Sequence, residues 1–179
     1  MIGQLLKFSF LLIFVAFSAC SVAQPEENGQ QEPKTTEELL IEQNRELLKK
    51  ERESIDAFIE RNNFTMQRTG SGLYYMEIKP SDNPQPIKVE DEIEYAYRIS
   101  LIDGTAIKNS VDDGNRVIRV GKDQVELGLH EALLLMNIGE RMLFIFPAHL
   151  AHGISQNDDD VPLRATLIYE IEPLKKLNK

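Results

Sequence analysis

Residues 92–101 alternate with a period of two: Ile93, Tyr95, Tyr97, Ile99 and Leu101 fall on one side, with mostly polar residues between them. That period predicts a half-buried strand. The run stops at Asp103-Gly104, a turn dipeptide, and the pattern resumes over Thr105–Ile107 as the return arm of a hairpin. Leu73–Ile78, Arg116–Val120, Arg141–Phe146 and Ala165–Ile171 predict further strands. One segment among them changes period. Val125, Leu129, Ala132, Leu133 and Met136 recur at i, i+4, i+7, i+8 and i+11, which is one face of a helix. Asp123 and Glu126 have the spacing of a capping box at its start, and Gly139 marks its stop. Several strands and one short helix predict an α+β domain, an antiparallel twisted sheet wrapped on that helix. Helices are too scarce for a doubly wound fold.

Upstream the pattern is of another kind. Thr35 and Glu38 again have capping-box spacing and open a charged helical stretch, assigned to residues 36–63, roughly 40 Å long. Ile41, Leu48 and Ile55 lie seven residues apart, but the intermediate heptad positions hold Asn44 and Glu51. This interrupted seam favours a helix packing its end on the domain, with a dimerising coiled coil as the alternative. Residues 20–35 are polar, contain two Pro and one Gly, and read as a flexible tether. Residues 1–19 hold a single charge, Lys7, followed by an apolar run of about ten residues and the small pair Ser18-Ala19. A run that short spans about half a bilayer core as a helix, which predicts a cleaved signal peptide. Phe17-Ser18-Ala19-Cys20 resembles a bacterial lipobox, which makes Cys20 the expected lipid attachment site.

Composition narrows the chemistry. The 179 residues carry 20 Lys+Arg against 29 Asp+Glu, a net charge of −9. Nucleic-acid binding draws its affinity from basic residues, so no nucleic-acid partner is expected. Removing residues 1–19 takes away one positive charge only, so an acidic surface must be held at an anionic membrane by the lipid itself. One Cys makes neither an internal disulfide nor a Cys-based zinc site. His130-Glu131 begins like a zinc-protease helix, but Leu134 stands where the second His belongs. Asn109–Gly114 has the outline of a calcium loop with Val111 at a ligand position and Val120 in place of the closing Glu. His149 and His152 beside Asp158, Asp159 and Asp160 read as loop histidines next to a solvated acidic run. No metal and no cofactor is expected.

The C-terminal part resembles the FKBP-type peptidyl-prolyl isomerases. The matching segments are Asp103-Gly104-Thr105, Val120-Gly121, Val125 with Gly128, Met136-Asn137-Ile138-Gly139-Glu140, Ala151-His152-Gly153, Val161-Pro162 and Ala165-Thr166-Leu167. They occur in the family's order and cover about residues 70–175, within a domain assigned to residues 64–179. With the lipobox and charged helix, the chain resembles the FKBP-like lipoproteins associated with gliding motility. The resemblance implies a pocket in which Tyr97 and Tyr169 are the strand aromatics, Ile107, Val125 and Val161 are apolar contacts, and Glu126 supplies a main-chain N–H to the substrate carbonyl, a role indifferent to its side chain. It also implies departures. Leu129 replaces a Trp on the pocket floor and His152 a hydrogen-bonding Tyr. Lys108 stands in place of an Asp that would have partnered Tyr97, and Arg116 replaces an aromatic wall.

The function implied is a peptidyl-prolyl cis-trans isomerase of the bacterial envelope, acting on Pro-containing segments of unfolded or exported proteins. The substitutions imply activity lowered by one or two orders of magnitude, about 1.4–3 kcal/mol of transition-state stabilisation. The alternative is a non-catalytic chaperone or assembly subunit on the same fold. Ser21 after Cys20 is unlike an inner-membrane retention Asp, which favours the outer membrane, facing the periplasm.

Overall fold

The computed structural model describes residues 35–151 and 161–177. The alternating run becomes β3, Glu92–Leu101, on which the sheet is assembled. In chain order the elements are α1 (Thr36–Arg61), β1 (Gln67–Arg68), β2 (Tyr74–Lys79), β3, β4 (Ala106–Asn109), α2 (Ser110–Asp113), β5 (Arg116–Arg119), α3 (Leu127–Leu134), β6 (Arg141–Phe146) and β7 (Leu167–Lys176). The strands form one antiparallel sheet in the order β1-β2-β6-β7-β3-β4, with β5 also pairing to β3. This is the expected α+β arrangement.

Register sorts the side chains. Tyr75 lies opposite Phe144, Phe144 opposite Tyr169, and Tyr169 opposite Ile99. That row faces α3, whose Leu129, Ala132 and Leu133 are buried with it in one core. The reverse row, Tyr74, Ile145 and Ile168, meets Ile55 of α1 in a second core, with Phe58, Ile59 and Met66 at its margin. The C-terminal half of α1 therefore closes the back of the sheet. Glu51, a break in the heptad pattern, is what fixes this docking: its carboxylate accepts from the Ala148 N–H at 2.7 Å and from the Thr166 hydroxyl at 2.8 Å. Further toward the N-terminus Leu40, Ile41, Leu47 and Leu48 remain about half exposed.

Local expectations need four corrections. The Asp123–Glu126 capping box does not form. Asp123 accepts the Arg119 N–H at 2.7 Å in the turn after β5, and α3 begins at Leu127 with Glu126 at its N-cap position making no side-chain cap bond. Gly139 does not end that helix either. The helix stops at Leu134, and Gly139, at φ 80°, turns the chain into β6 while donating to the Pro173 carbonyl at 2.7 Å. A second helix is present, the single turn α2, because the Asn109 side chain accepts from the N–H groups of Val111 and Asp112. These are the residues whose spacing suggested a calcium loop. Finally, β7 runs on to Lys176, well past the last alternating apolar position expected.

Candidate functional site

The α3-facing side of β3, β5 and β7 carries more hydroxyls and charges than a core face normally holds. Tyr95 and Tyr97 follow one another on β3, with ring centroids 5.9 Å apart. Tyr169 on β7 stacks on Phe146 at 4.4 Å and 14°. Arg116, paired with Tyr95, lays its guanidinium 4.6 Å from the centre of the Tyr97 ring. Across from them, the loop before α3 brings in Glu126, 4% exposed, whose carboxylate accepts the Tyr169 hydroxyl at 2.9 Å.

That loop is braced from the helix it precedes. The Gly121 N–H donates to His130 Nδ1 at 2.8 Å, which places the imidazole proton on Nε2, and Nε2 donates to the Asp123 carbonyl at 3.0 Å. His130 thus ties down both ends of a short turn and leaves Val125 and Glu126 against the inner face. Its neighbour Glu131 accepts the Ser71 hydroxyl at 2.7 and 2.8 Å. Gly128 is needed for the approach of α3: a Cβ there would stand 2.9 Å from Phe146, the ring on which Tyr169 is stacked.

The electrostatics follow from burial. Removal from water pushes the Glu126 carboxyl above its ordinary value, against the opposing pull of its own main-chain N–H, the Tyr169 hydroxyl and Arg116. Burial raises the phenols of Tyr95, Tyr97 and Tyr169 as well, so all three stay neutral at physiological pH. For Arg116 burial works against the charge, but Tyr97, Tyr95, Tyr169 and Glu126 together hold its proton more firmly than usual.

The structure brings Tyr97, Tyr169, Val125, Glu126, Leu129, Val161 and Ile107 to one side of the sheet. Leu129 is 2% exposed and packed in the core, Val161 is buried, and Ile107 and Val125 are half-buried at its edge. His152 and Cys20 lie outside the described residues. Two expectations change. Tyr97 is not left without an acidic partner, because Asp113 at the end of α2 accepts its hydroxyl at 3.3 Å. The Glu126 side chain is not indifferent, since it enters the site and meets Tyr169. Sequence reasoning missed Asp113 because it lies in an unforeseen helical turn, and the Glu126–Tyr169 bond because it joins residues 43 apart. The place of Arg116 was available from the alternation Arg116, Ile118, Val120. Among the described residues no cluster of three His, Cys, Asp or Glu side chains could hold a metal ion. His149 Nε2 donates to the Ser71 carbonyl, 2.8 Å away.

A sheet that wraps one short helix, with a braced turn placing an N-cap residue over aromatic strand positions, is a defined class of domain, and comparison places it. Residues 83–174, just over half of the chain, match the family described as FKBP-type peptidyl-prolyl cis-trans isomerase. The chain belongs to that family. It is 37% identical over 98 residues to human peptidyl-prolyl cis-trans isomerase FKBP9, covering 54% of this chain and 17% of that protein. With bovine FKBP11 it shares 33% over 93 residues, 52% of this chain and 46% of the other. The chain thus spans less than half the length of these relatives. Among solved structures, FkpA from Escherichia coli superposes with a TM-score of 0.60 at 21% identity, covering 78% of this chain and 65% of that one. A peptidyl-prolyl isomerase from Pseudomonas syringae gives 0.60 at 23% identity, over 73% and 93%. These two likenesses establish the shared fold.

Proposed function

We propose that this chain is a peptidyl-prolyl cis-trans isomerase of the bacterial envelope, lipid-anchored through Cys20, that assists the folding of exported proteins. The observation that carries the reaction is the placement of Tyr97 and Tyr169 on the same inner face of the sheet, with Val125 packed against that core and Glu126 bonded to Tyr169.

The chemistry required is modest. Rotation about an X-Pro bond crosses a barrier of about 18–20 kcal/mol, because the twisted amide loses its resonance. The carbonyl of the twisted form is less polar and the prolyl nitrogen more basic, so a site that removes the amide from water favours that form over the planar one. Neither a nucleophile nor a general base is needed. The proline ring would sit beside Tyr97 and Tyr169 with Val161 and Ile107 at its sides, and Leu129 supplies apolar floor beneath. The Glu126 N–H would receive the carbonyl oxygen, as the resemblance implies. The buried Glu126 carboxylate on Tyr169 is one physical source of a lowered rate.

The signal-like residues 1–19, the lipobox ending at Cys20 and the tether to residue 35 support an outer-membrane, periplasm-facing location, and the same combination supports a role with gliding-motility components. A second reading has its own observation. Two charged residues, Arg116 and Glu126, occupy the site, which suits a subunit that holds Pro-containing segments without turning them over. Magnetisation-exchange NMR on a proline peptide separates the two. Line exchange that scales with added protein supports the isomerase, whereas binding without exchange supports the holding subunit. Mass spectrometry of the mature N-terminus tests the anchor: a diacyl- or triacyl-modified Cys20 is expected, and an unmodified start contradicts it.

A further inference from the structure

β5 opens with a charge in a register that the sheet otherwise gives to apolar residues. Arg116 pairs with Tyr95, and Ile118, two residues on, pairs with Ile93. Tyr95, Ile93 and Ile118 are all buried on the α3-facing side, so period two sets Arg116 on that side too. It is nevertheless exposed to solvent at the rim. Its guanidinium carbon lies 4.6 Å from the centre of the Tyr97 ring, and Tyr95 is its partner across the strand pair. The two acids of the site are engaged elsewhere: Glu126 receives Tyr169, and Asp113 receives Tyr97. Among the described residues neither acid makes an ion pair with Arg116 at 4.0 Å or less. A guanidinium has five N–H donors in a rigid fork, and a contact through its face does not consume them.

We infer that Arg116 is a specificity residue, selecting X-Pro bonds in which X is Asp or Glu. This rests on the isomerase reading of the same site. A proline seated beside Tyr97 has its preceding Cα 3.8 Å from its own, so a Glu or Asp side chain there reaches the guanidinium stacked on that ring. A carboxylate takes the fork in two parallel bonds, which a Leu or Lys side chain does not do. Stacking on Tyr97 fixes the fork in advance and reduces the ordering needed on binding. The net charge of −9 opposes acidic segments at long range, but physiological salt screens charges beyond about 8 Å, whereas the contact at the rim is short. Glu126 would select a cation instead, but it is 4% exposed and already bonded to Tyr169 rather than at the rim.

The test uses the full chain and tetrapeptides that differ only in the residue before proline: Glu, Gln, Leu or Lys. Affinity from chemical-shift titration and isomerisation from exchange NMR are read on the same samples, for the natural protein, Arg116→Phe and Arg116→Lys. The natural protein should prefer Glu over Gln and Leu by about tenfold in affinity and in kcat/KM, as a charge-assisted pair would give, with Lys last. Arg116→Phe should lose that preference and favour Leu, and Arg116→Lys should keep its sign with smaller size. Far-UV circular dichroism establishes that each variant is folded, and Arg116→Lys carries the comparison if Arg116→Phe is not. Turnover of all peptides with Leu first, or a Glu preference that survives in Arg116→Phe, overturns the assignment and leaves the isomerase reading standing. Glu-selective binding lost in Arg116→Phe, without turnover of any peptide, upholds the assignment as recognition and removes the isomerase. Failure to bind or turn over any of the peptides overturns both.

Discussion

Glu126 and Tyr169 show how much one hydrogen bond decides when both partners are out of water. The carboxylate is stabilised by the Tyr169 hydroxyl at 2.9 Å, yet desolvation still leaves its proton affinity raised. Two predictions follow from the sign of that shift. Between the unfolded value and the raised folded value, the native state binds more protons than the unfolded chain, so Glu126 lowers stability as pH rises through that window. Glu126→Gln keeps an acceptor for Tyr169 without the charge. Thermal denaturation should therefore find it more stable than the natural protein at pH 7–8, with the difference gone near pH 4. A natural protein more stable than Glu126→Gln at neutral pH would contradict the assigned direction. Tyr169→Phe takes the donor away and leaves the acid buried. It should cost about 1–3 kcal/mol at neutral pH and less in acid, read by urea denaturation. Coupling between the two substitutions in a double-mutant cycle would show that they report one interaction.

At the scale of elements, α3 and α1 are held by particular atoms rather than by apolar surface in general. Gly128 lets α3 start against Phe146, and adding a methyl group there meets the ring at 2.9 Å. Alanine is the better helix former by roughly 0.8–1 kcal/mol, but overpacking a fully buried ring costs about 1–3 kcal/mol. Gly128→Ala should thus be neutral to destabilising, and near-UV circular dichroism should change as Phe146 shifts on Tyr169. Glu51→Ala removes one carboxylate from two buried donors, Ala148 N–H and Thr166 Oγ1. A loss of about 1–3 kcal/mol is expected, with faster hydrogen exchange along α1 than along β3. Uniform exchange would show that α1 does not open separately. These elements also show what was legible beforehand. β3 and β6 lie on their predicted residues because alternation over six to ten positions is a strong local signal. α1 begins at Thr36 as expected, where the Thr35–Glu38 spacing marks a helix start, and ends at Arg61, within two residues of its expected boundary. α2 was missed because four residues are too few for any period, and the start of α3 was misplaced because Asp123 had a nearer use as a turn acceptor. Glu51 read as a flaw in a heptad until the sheet supplied Ala148 and Thr166 as its partners.

On the scale of the molecule, the fold is that of the FKBP-type isomerases, with a helix that closes the back of the sheet. The aromatic positions of the site were legible from alternation together with the family resemblance. Its charges were visible as residues but not as a network: that Glu126 meets Tyr169, that Asp113 meets Tyr97 and that Arg116 stacks on Tyr97 depends on which strands become neighbours. The result is a site with apolar floor and polar walls, expected to isomerise proline bonds more slowly than an all-aromatic one. The most direct measurement is the refolding of a test protein whose rate is limited by X-Pro isomerisation, followed at increasing concentrations of this chain. The account predicts a rate that rises with the chain at micromolar concentration. A slow phase unchanged across that range, while the unfolded test protein is seen to bind, would contradict it.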